Sequence, residues 1–238
     1  MKVPFPCLLV LALWLTGCRS DTLFTKLDGD QTGITFANTL TESDSLNVMS
    51  FEYIYNGGGV GVGDLNNDGL TDVFFAGNMV SSRLYVNRTT PADSHFRFED
   101  VTGAAGTTTR HWCTGVAMVD INGDGWLDIY VSTIHPDRAK SAPNLLFVNQ
   151  GADANGVPQF REMAAEAGLA DSSYSTQAAF LDYDRDGDLD LFLLTNALEN
   201  YSRNNVGYPR NDGSARSTDK LFRNDGMYTF FASMINLK

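Results

Sequence analysis

Basic residues are scarce in this 238-residue chain: 17 Lys and Arg stand against 29 Asp and Glu, for a net charge of −12. Such a balance offers no basic groove and excludes a nucleic acid as partner. Glutamate is scarcer still, since 23 of the 29 acids are Asp and only 6 are Glu. Glu suits helices, whereas Asp prefers turns and caps and is a short, stiff oxygen ligand for hard cations, so the imbalance points to loops and metal. Three Cys are too few for a disulfide framework. The apolar run Leu8–Leu15 is too short to span a bilayer. What remains is an ordinary globular composition, 43% hydrophobic and 19% charged, which excludes disorder and collagen. Its 22 Gly, 15 Phe and 9 Tyr supply turns and strand-favouring aromatics.

The apolar run follows Met1-Lys2 and stops at Leu15-Thr16-Gly17-Cys18, the layout of a secretory signal peptide. The tetrapeptide resembles the bacterial lipobox, whose cysteine is lipid-modified and becomes the first residue of the mature chain. The resemblance implies a lipoprotein signal peptide over 1–18, lipidation at Cys18, a tether over 19–33 and a body held at a membrane by its acyl chains. It implies export to the cell envelope, and Arg19, in place of an aspartate retention signal, favours the outer membrane. Cys7 then leaves with the signal and Cys18 carries lipid, so Cys113 has no disulfide partner. Its setting, WCTGVAMVD, reads as a strand with Cys113 as a small buried hydrophobe.

Superposing the chain on itself reveals a repeat. DLNNDGLTD (64–72), DINGDGWLD (120–128) and DYDRDGDLD (182–190) align without gaps as D-x-[DN]-x-D-G-x-x-D. Each follows a short apolar stretch (VGVG, VAMV, AAFL) and precedes another (VFFAG, IYVST, LFLLT), the pattern of strands flanking a tight turn. RLYVN, LLFVN and KLFRN, ending at Asn87, Asn149 and Asn224, form a second matching set. From Asn87 to Phe98 and from Asn149 to Phe160 the spacing is 11; from Phe98 to Gly106 and from Phe160 to Gly168 it is 8. The period is 56 residues between the first two loops and 62 between the second and third, room for a four-stranded propeller blade. Repeats are expected near 57–110, 111–172 and 173–238, within an all-β domain over 34–238. The one helix-like stretch, Phe160 to Gly168, reads as a short turn closed by a glycine cap. Length varies only between the loop and the LFxN strand, so the insertions belong to one face. The longest, 197–218, with Tyr201, Tyr208 and Pro209, is either a recognition loop or a flexible insertion.

The nine-residue loop has the layout of a Ca²⁺ site. Oxygens at positions 1, 3 and 5 converge when the chain turns sharply at position 6, where Gly69, Gly125 and Gly187 stand. The expected ligands are Asp64, Asn66, Asp68, Asp72 and the Leu70 carbonyl in the first loop, then Asp120, Asn122, Asp124, Asp128 and the Trp126 carbonyl in the second. In the third they are Asp182, Asp184, Asp186, Asp190 and Asp188 at position 7, giving about three Ca²⁺ sites. The third loop has five Asp against Arg185, a local charge near −4, and is expected to need a cation most. Position 12, Glu in an EF-hand, is Phe75, Val131 and Leu193 here, which removes that motif. Asp28-Gly29-Asp30 and Asn224-Asp225-Gly226 lack the later ligands and are expected to bind no metal, the second being a hairpin turn.

These loops, with GVGVGDLNNDGLTDVFFAGN the best copy, resemble the FG-GAP or VCBS repeats of integrin-alpha-type β-propellers. With RLYVN, FEDVTGAAG and FREMAAEAGL they more narrowly resemble the bacterial ASPIC/UnbV-associated lipoproteins similar to cartilage acidic protein. The resemblance covers roughly Gly33 to Phe230 and implies Ca²⁺ in these loops, about seven blades and a separate C-terminal domain. The chain has room for about three blades, an incomplete ring, and reads as a C-terminally truncated member. It implies a non-enzymatic binding or adhesion module with a protein or glycan ligand, and no catalytic residues are assigned. Two alternatives stay open: a Ca²⁺-dependent glycan-cleaving enzyme, and a scaffold for a missing domain. The loop acids are consumed by ligand positions and His95, His111 and His135 sit at non-equivalent places in the repeat, which disfavours the enzyme.

Overall fold

The computed structural model describes residues 23–196, 198, 201–202, 205–206, 215–226 and 229–233. Its one helix among them is a single turn, α1 (Gly29–Thr32). Strands β1 (Val60–Gly63), β2 (Asp72–Phe75), β3 (Arg83–Asn87) and β4 (Phe98–Asp100) form one antiparallel sheet in sequence order. Strands β5 (Trp112–Val119), β6 (Asp128–Ile134), β7 (Leu145–Ala152) and β8 (Pro158–Glu162) form a second. The third begins with β9 (Ser175–Leu181) and β10 (Asp190–Thr195), is interrupted by the two-stranded hairpin β11 (Tyr201–Ser202) and β12 (Asn205–Val206), and resumes with β13 (Lys220–Asn224) and β14 (Phe230–Ser233). Each sheet begins with the same hairpin: Gly63 pairs with Asp72, Val119 with Asp128 and Leu181 with Asp190, so each acidic loop closes the first two strands of its sheet.

Alternation of side chains explains how the sheets stack. Strand β6 is buried at all seven positions, a central strand covered on both faces. Ile129 and Val131 point into one core with Phe74, Leu84 and Val86 of the first sheet. Tyr130, between them, joins Leu191, Leu193 and Phe222 of the third sheet in a second core. The first strands approach closely as well: Gly115 of β5 lies so near Gln177 and the Thr176 carbonyl that any Cβ there would collide with them. Three four-stranded sheets packed in succession make an incomplete β-propeller. On the far face of the third sheet Leu181, Leu194 and Phe231 are each more than 40% exposed.

The helix-like stretch is a turn. Ala167 N–H donates to the Met163 carbonyl at 2.9 Å and Gly168 adopts φ 76°. Its counterpart in the first repeat has Ala105 donating to Val101 at 2.8 Å and Gly106 at φ 78°. Both turns dock on the next sheet, because Phe160 N–H donates to the Ala105 carbonyl at 3.0 Å and Phe230 N–H to the Ala167 carbonyl at 3.1 Å. The fixed glycine-to-phenylalanine pattern of the sequence is thus an inter-sheet tie. Helix α1, ending at Gly33 with φ 81°, packs on the Phe98 carbonyl as Gly106 packs on Phe160 and Gly168 on Phe230. Residues ahead of β1 therefore occupy the place of a preceding repeat's turn, and Phe36 stacks on Phe75 at 5.1 Å to cover the outer face of the first sheet.

Candidate metal-binding loops

The three loops share one backbone path. The first carboxylate, Asp64, accepts N–H groups from Asp68 at 3.1 Å and Gly69 at 2.8 Å. Asp120 accepts from Asp124 at 3.0 Å and Gly125 at 2.8 Å, and Asp182 from Arg185 at 2.7 Å and Gly187 at 3.2 Å. The fifth-position carboxylate then accepts from position 7: Leu70 to Asp68 at 2.9 Å, Trp126 to Asp124 at 2.8 Å, Asp188 to Asp186 at 3.0 Å. The turn needs left-handed backbone at position 6, where φ is 85°, 86° and 99°, and a glycine stands there each time. It also needs it at position 4, occupied by Asn67 (φ 55°), Gly123 (φ 69°) and Arg185 (φ 67°). Arg is the one of these three that pays a steric penalty there.

The ninth residue is different in kind. Asp72, Asp128 and Asp190 are wholly buried, at 0% exposure. Asp72 accepts N–H groups from Leu65 at 2.9 Å and Asn87 at 2.8 Å; Asp128 from Ile121 at 3.0 Å and Asn149 at 2.8 Å; Asp190 from Tyr183 at 3.0 Å and Asn224 at 2.9 Å. Each therefore pins the start of its own loop to the third strand of its sheet. The asparagine that ends each LFxN strand is the partner. The sequence showed it as a repeated letter without a role. Burial pushes the Asp72 carboxyl up to about 6 against the pull of its two N–H donors, with Asp68 and Asp64 adding to the rise. Asp128 is pushed up to about 6 in the same way.

Positions 3 and 5 separate the loops. Asn66 donates its amide to Asp68 Oδ2 at 2.9 Å and Asn122 to Asp124 Oδ2 at 2.7 Å. The third loop has Asp184 instead, and its carboxyl is raised, by desolvation first and then by the neighbouring Asp186 charge. Oxygens of Asp182, Asp184 and Asp190 lie within 4.8 Å of one another, the one cluster of three acids of this kind among the described residues. Hard oxygen donors at that separation fit a divalent cation of the Ca²⁺ type. The Asp188 side chain instead borders a cavity of about 440 Å³ between the second and third loops, lined also by Asp120, Asn122 and Asn224. Between the first and second loops the chain makes direct contacts: Asn67 donates to the Gly125 carbonyl at 3.1 Å, and Asn149 to the Leu65 carbonyl at 2.8 Å. Gly123, at the place of Asn67, has no side chain to repeat the first of these.

Outside the loops, Cys113 is buried and its thiol pKa is raised by that burial. His95 and His135 are half-buried and make local hydrogen bonds, with Ser94 and Asp137. Cys18, Glu199, Tyr208, Pro209 and Asp212 lie outside the described residues, and of Tyr201 only the strand is described. Among the described residues no helix is long and apolar enough to cross a membrane.

Sheets stacked in succession and closed by acidic nine-residue loops define a repeat protein of the propeller class. Residues 64–131 match the model of the FG-GAP-like repeat. The match opens on the first residue of the first loop and ends in β6, so it spans one period and the whole second loop. No curated protein matches the chain.

Proposed function

We propose that the chain is a Ca²⁺-stabilised, non-enzymatic binding module, held at the surface of a bacterial envelope by lipid on Cys18. The observation that carries the metal reading is the convergence of Asp182, Asp184 and Asp190 in a loop whose backbone is repeated twice more. Asp64, Asn66, Asp68, Asp72 and the Leu70 carbonyl would hold one ion, and Asp120, Asn122, Asp124, Asp128 and the Trp126 carbonyl a second. Asp182, Asp184, Asp186, Asp190 and the position-7 residue Asp188 would hold the third. A bound cation would supply the countercharge that crowded carboxylates lack. The binding reading draws on the FG-GAP-like repeat at 64–131 and on loop acids already engaged by backbone N–H groups. The narrower likeness to ASPIC/UnbV-associated lipoproteins belongs to the same proposal.

A thermal melt followed by circular dichroism, with excess calcium and then with chelator, tests the metal. Calcium at about a hundred times its dissociation constant stabilises by about 2.7 kcal/mol per site, worth roughly 5–10 °C in a domain of this size. Calorimetric titration should count about three ions. Coincident melts with and without calcium would remove the proposal. The anchor is tested by labelling cells with a palmitate analogue: label on the wild-type protein and none on Cys18→Ser is the expected result.

A further inference from the structure

The acidic loops occupy one end of the sheets, and Phe51, Ile54 and Leu198, from outside the repeated pattern, lie at the other. There Trp112 pairs with Ile134 at the end of the β5–β6 ladder opposite Val119 and Asp128. Phe51, Ile54, Trp112, Ile134, Tyr174 and Leu198 form a third core at this end. Beside it lies a pocket of about 210 Å³ lined by the segment ahead of β1 and by the second and third sheets. Tyr53, Trp112 and Ile134 form its apolar wall, and Asn56, Asn196 and Thr176 provide polar groups. Phe51, 1% exposed, sits edge-on to Trp112 at 5.3 Å and tilted against Tyr53 at 6.2 Å, so the two rings are backed by a packed third.

One of the polar groups is unsatisfied. In the second sheet the Thr114 hydroxyl donates to the Ser175 carbonyl at 2.8 Å. Thr176 stands at the same repeat position, at the same irregularity in the strand pairing. Its hydroxyl is shut off from solvent and has no hydrogen-bond partner among the described residues. An orphaned buried hydroxyl is destabilising, and a ligand hydroxyl that reached it would remove that cost.

Among the described residues no charged side chain lines the pocket. Phosphates, metal ions and zwitterions would lose their hydration with no countercharge in return. A purely apolar ligand would leave the Thr176 hydroxyl unpaired and strip water from the Asn56 and Asn196 side chains without replacing it. A ring with C–H faces for Tyr53 and Trp112 and hydroxyls for the amides and Thr176 satisfies both walls. The volume lies below the roughly 300 Å³ at which small-molecule sites begin, room for one such ring with the remainder outside. We propose that this pocket binds a single sugar ring of a neutral glycan. The proposal rests on the binding-module reading and names its ligand class.

Saturation-transfer NMR on the calcium-loaded protein tests it, with glucose, galactose, mannose, fucose and N-acetylglucosamine, and with N-acetylneuraminic acid and glucose 6-phosphate as charged comparators. At least one neutral sugar should bind and neither charged one. Thr176→Val and Asn196→Ala should each weaken that sugar about three- to tenfold, and Thr176→Ser should retain it. Tyr53→Ala, at a half-buried position that the fold tolerates more easily, should weaken it further. Binding by none of the neutral sugars overturns the proposal, as does a preference for the charged ones or indifference to all of these variants. Calcium titrated into the same samples should bind unchanged. Loss of sugar binding with calcium intact sinks the pocket alone, and sugar binding without any calcium response sinks the metal reading alone.

Discussion

In the loops at 64–72 and 120–128 the third residue is an asparagine whose amide donates to the fifth-position carboxylate, at 2.9 and 2.7 Å. In the loop at 182–190 that residue is Asp184, and a donor gives way to a further acid. The turn is nearly the same, so the exchange of NH₂ for O⁻ at position 3 stands out, beside the further acid Asp188 at position 7. The first two loops partly neutralise themselves. The third brings three carboxylates within 4.8 Å and leaves their repulsion to be answered from outside. Near-identical turns can therefore carry different concentrations of negative charge, set by the acids at positions 3 and 7.

The largest effect should come from breaking what all three loops share. Asp128→Ala orphans the Ile121 and Asn149 N–H groups at once, and a loss of roughly 2–6 kcal/mol in urea denaturation is expected, with Asp72→Ala and Asp190→Ala comparable. A near-neutral Asp190→Ala would show that the third loop is held differently from the other two.

Next comes pH. In the native, metal-free protein Asp72 and Asp128 keep their protons up to about 6, whereas an unfolded aspartate releases its proton near 3.8. The native state binds the proton more tightly, so the contribution is full below about 4 and is lost as pH rises through about 6. The fall is on the order of 2–3 kcal/mol per group. Melts in chelator between pH 4 and 7 should decline across that window, and calcium should flatten the decline by favouring the ionised forms. A metal-free stability that rises over the same range would contradict the burial argument.

The smallest expected change sharpens the comparison itself. Asp184→Asn converts the third loop to the pattern of the others; it should stabilise the metal-free protein slightly and weaken calcium at that site on the order of tenfold. Asn66→Asp should do the reverse in the first loop. Calorimetry resolving the sites checks both, and equal affinities before and after would mean that position 3 does not set them.

Much of this was legible from residue spacing. Acidic residues at positions 1 and 5 with glycine at position 6 define a turn within a few residues, and alternating apolar stretches on either side read as strands. The left-handed position 4 was not legible, because Asn67, Gly123 and Arg185 share no letter. Nor was α1: its match to the later turns lies in its contact with Phe98, and the intervening segment up to β1 has no counterpart in the other repeats. The Asn87, Asn149 and Asn224 series was visible as a pattern, but its role depends on an N–H reaching a carboxylate 15, 21 and 34 residues away.

The sequence by itself determined the local geometry: which residues turn, which extend, where carboxylates crowd, and how many units there are. These follow from backbone sterics and side-chain chemistry acting over less than ten residues. Only the tertiary structure decided which neighbours close the gaps. It joined the first two loops through Asn67 and Asn149 while leaving a cavity between the second and third, and it gave Thr114 a carbonyl that Thr176 lacks. It also drew the segment ahead of β1 and two of the sheets around one pocket. Such contacts depend on how sheets stack across many tens of residues, and a hydrogen bond is made or lost within a fraction of an ångström that spacing along the chain does not encode.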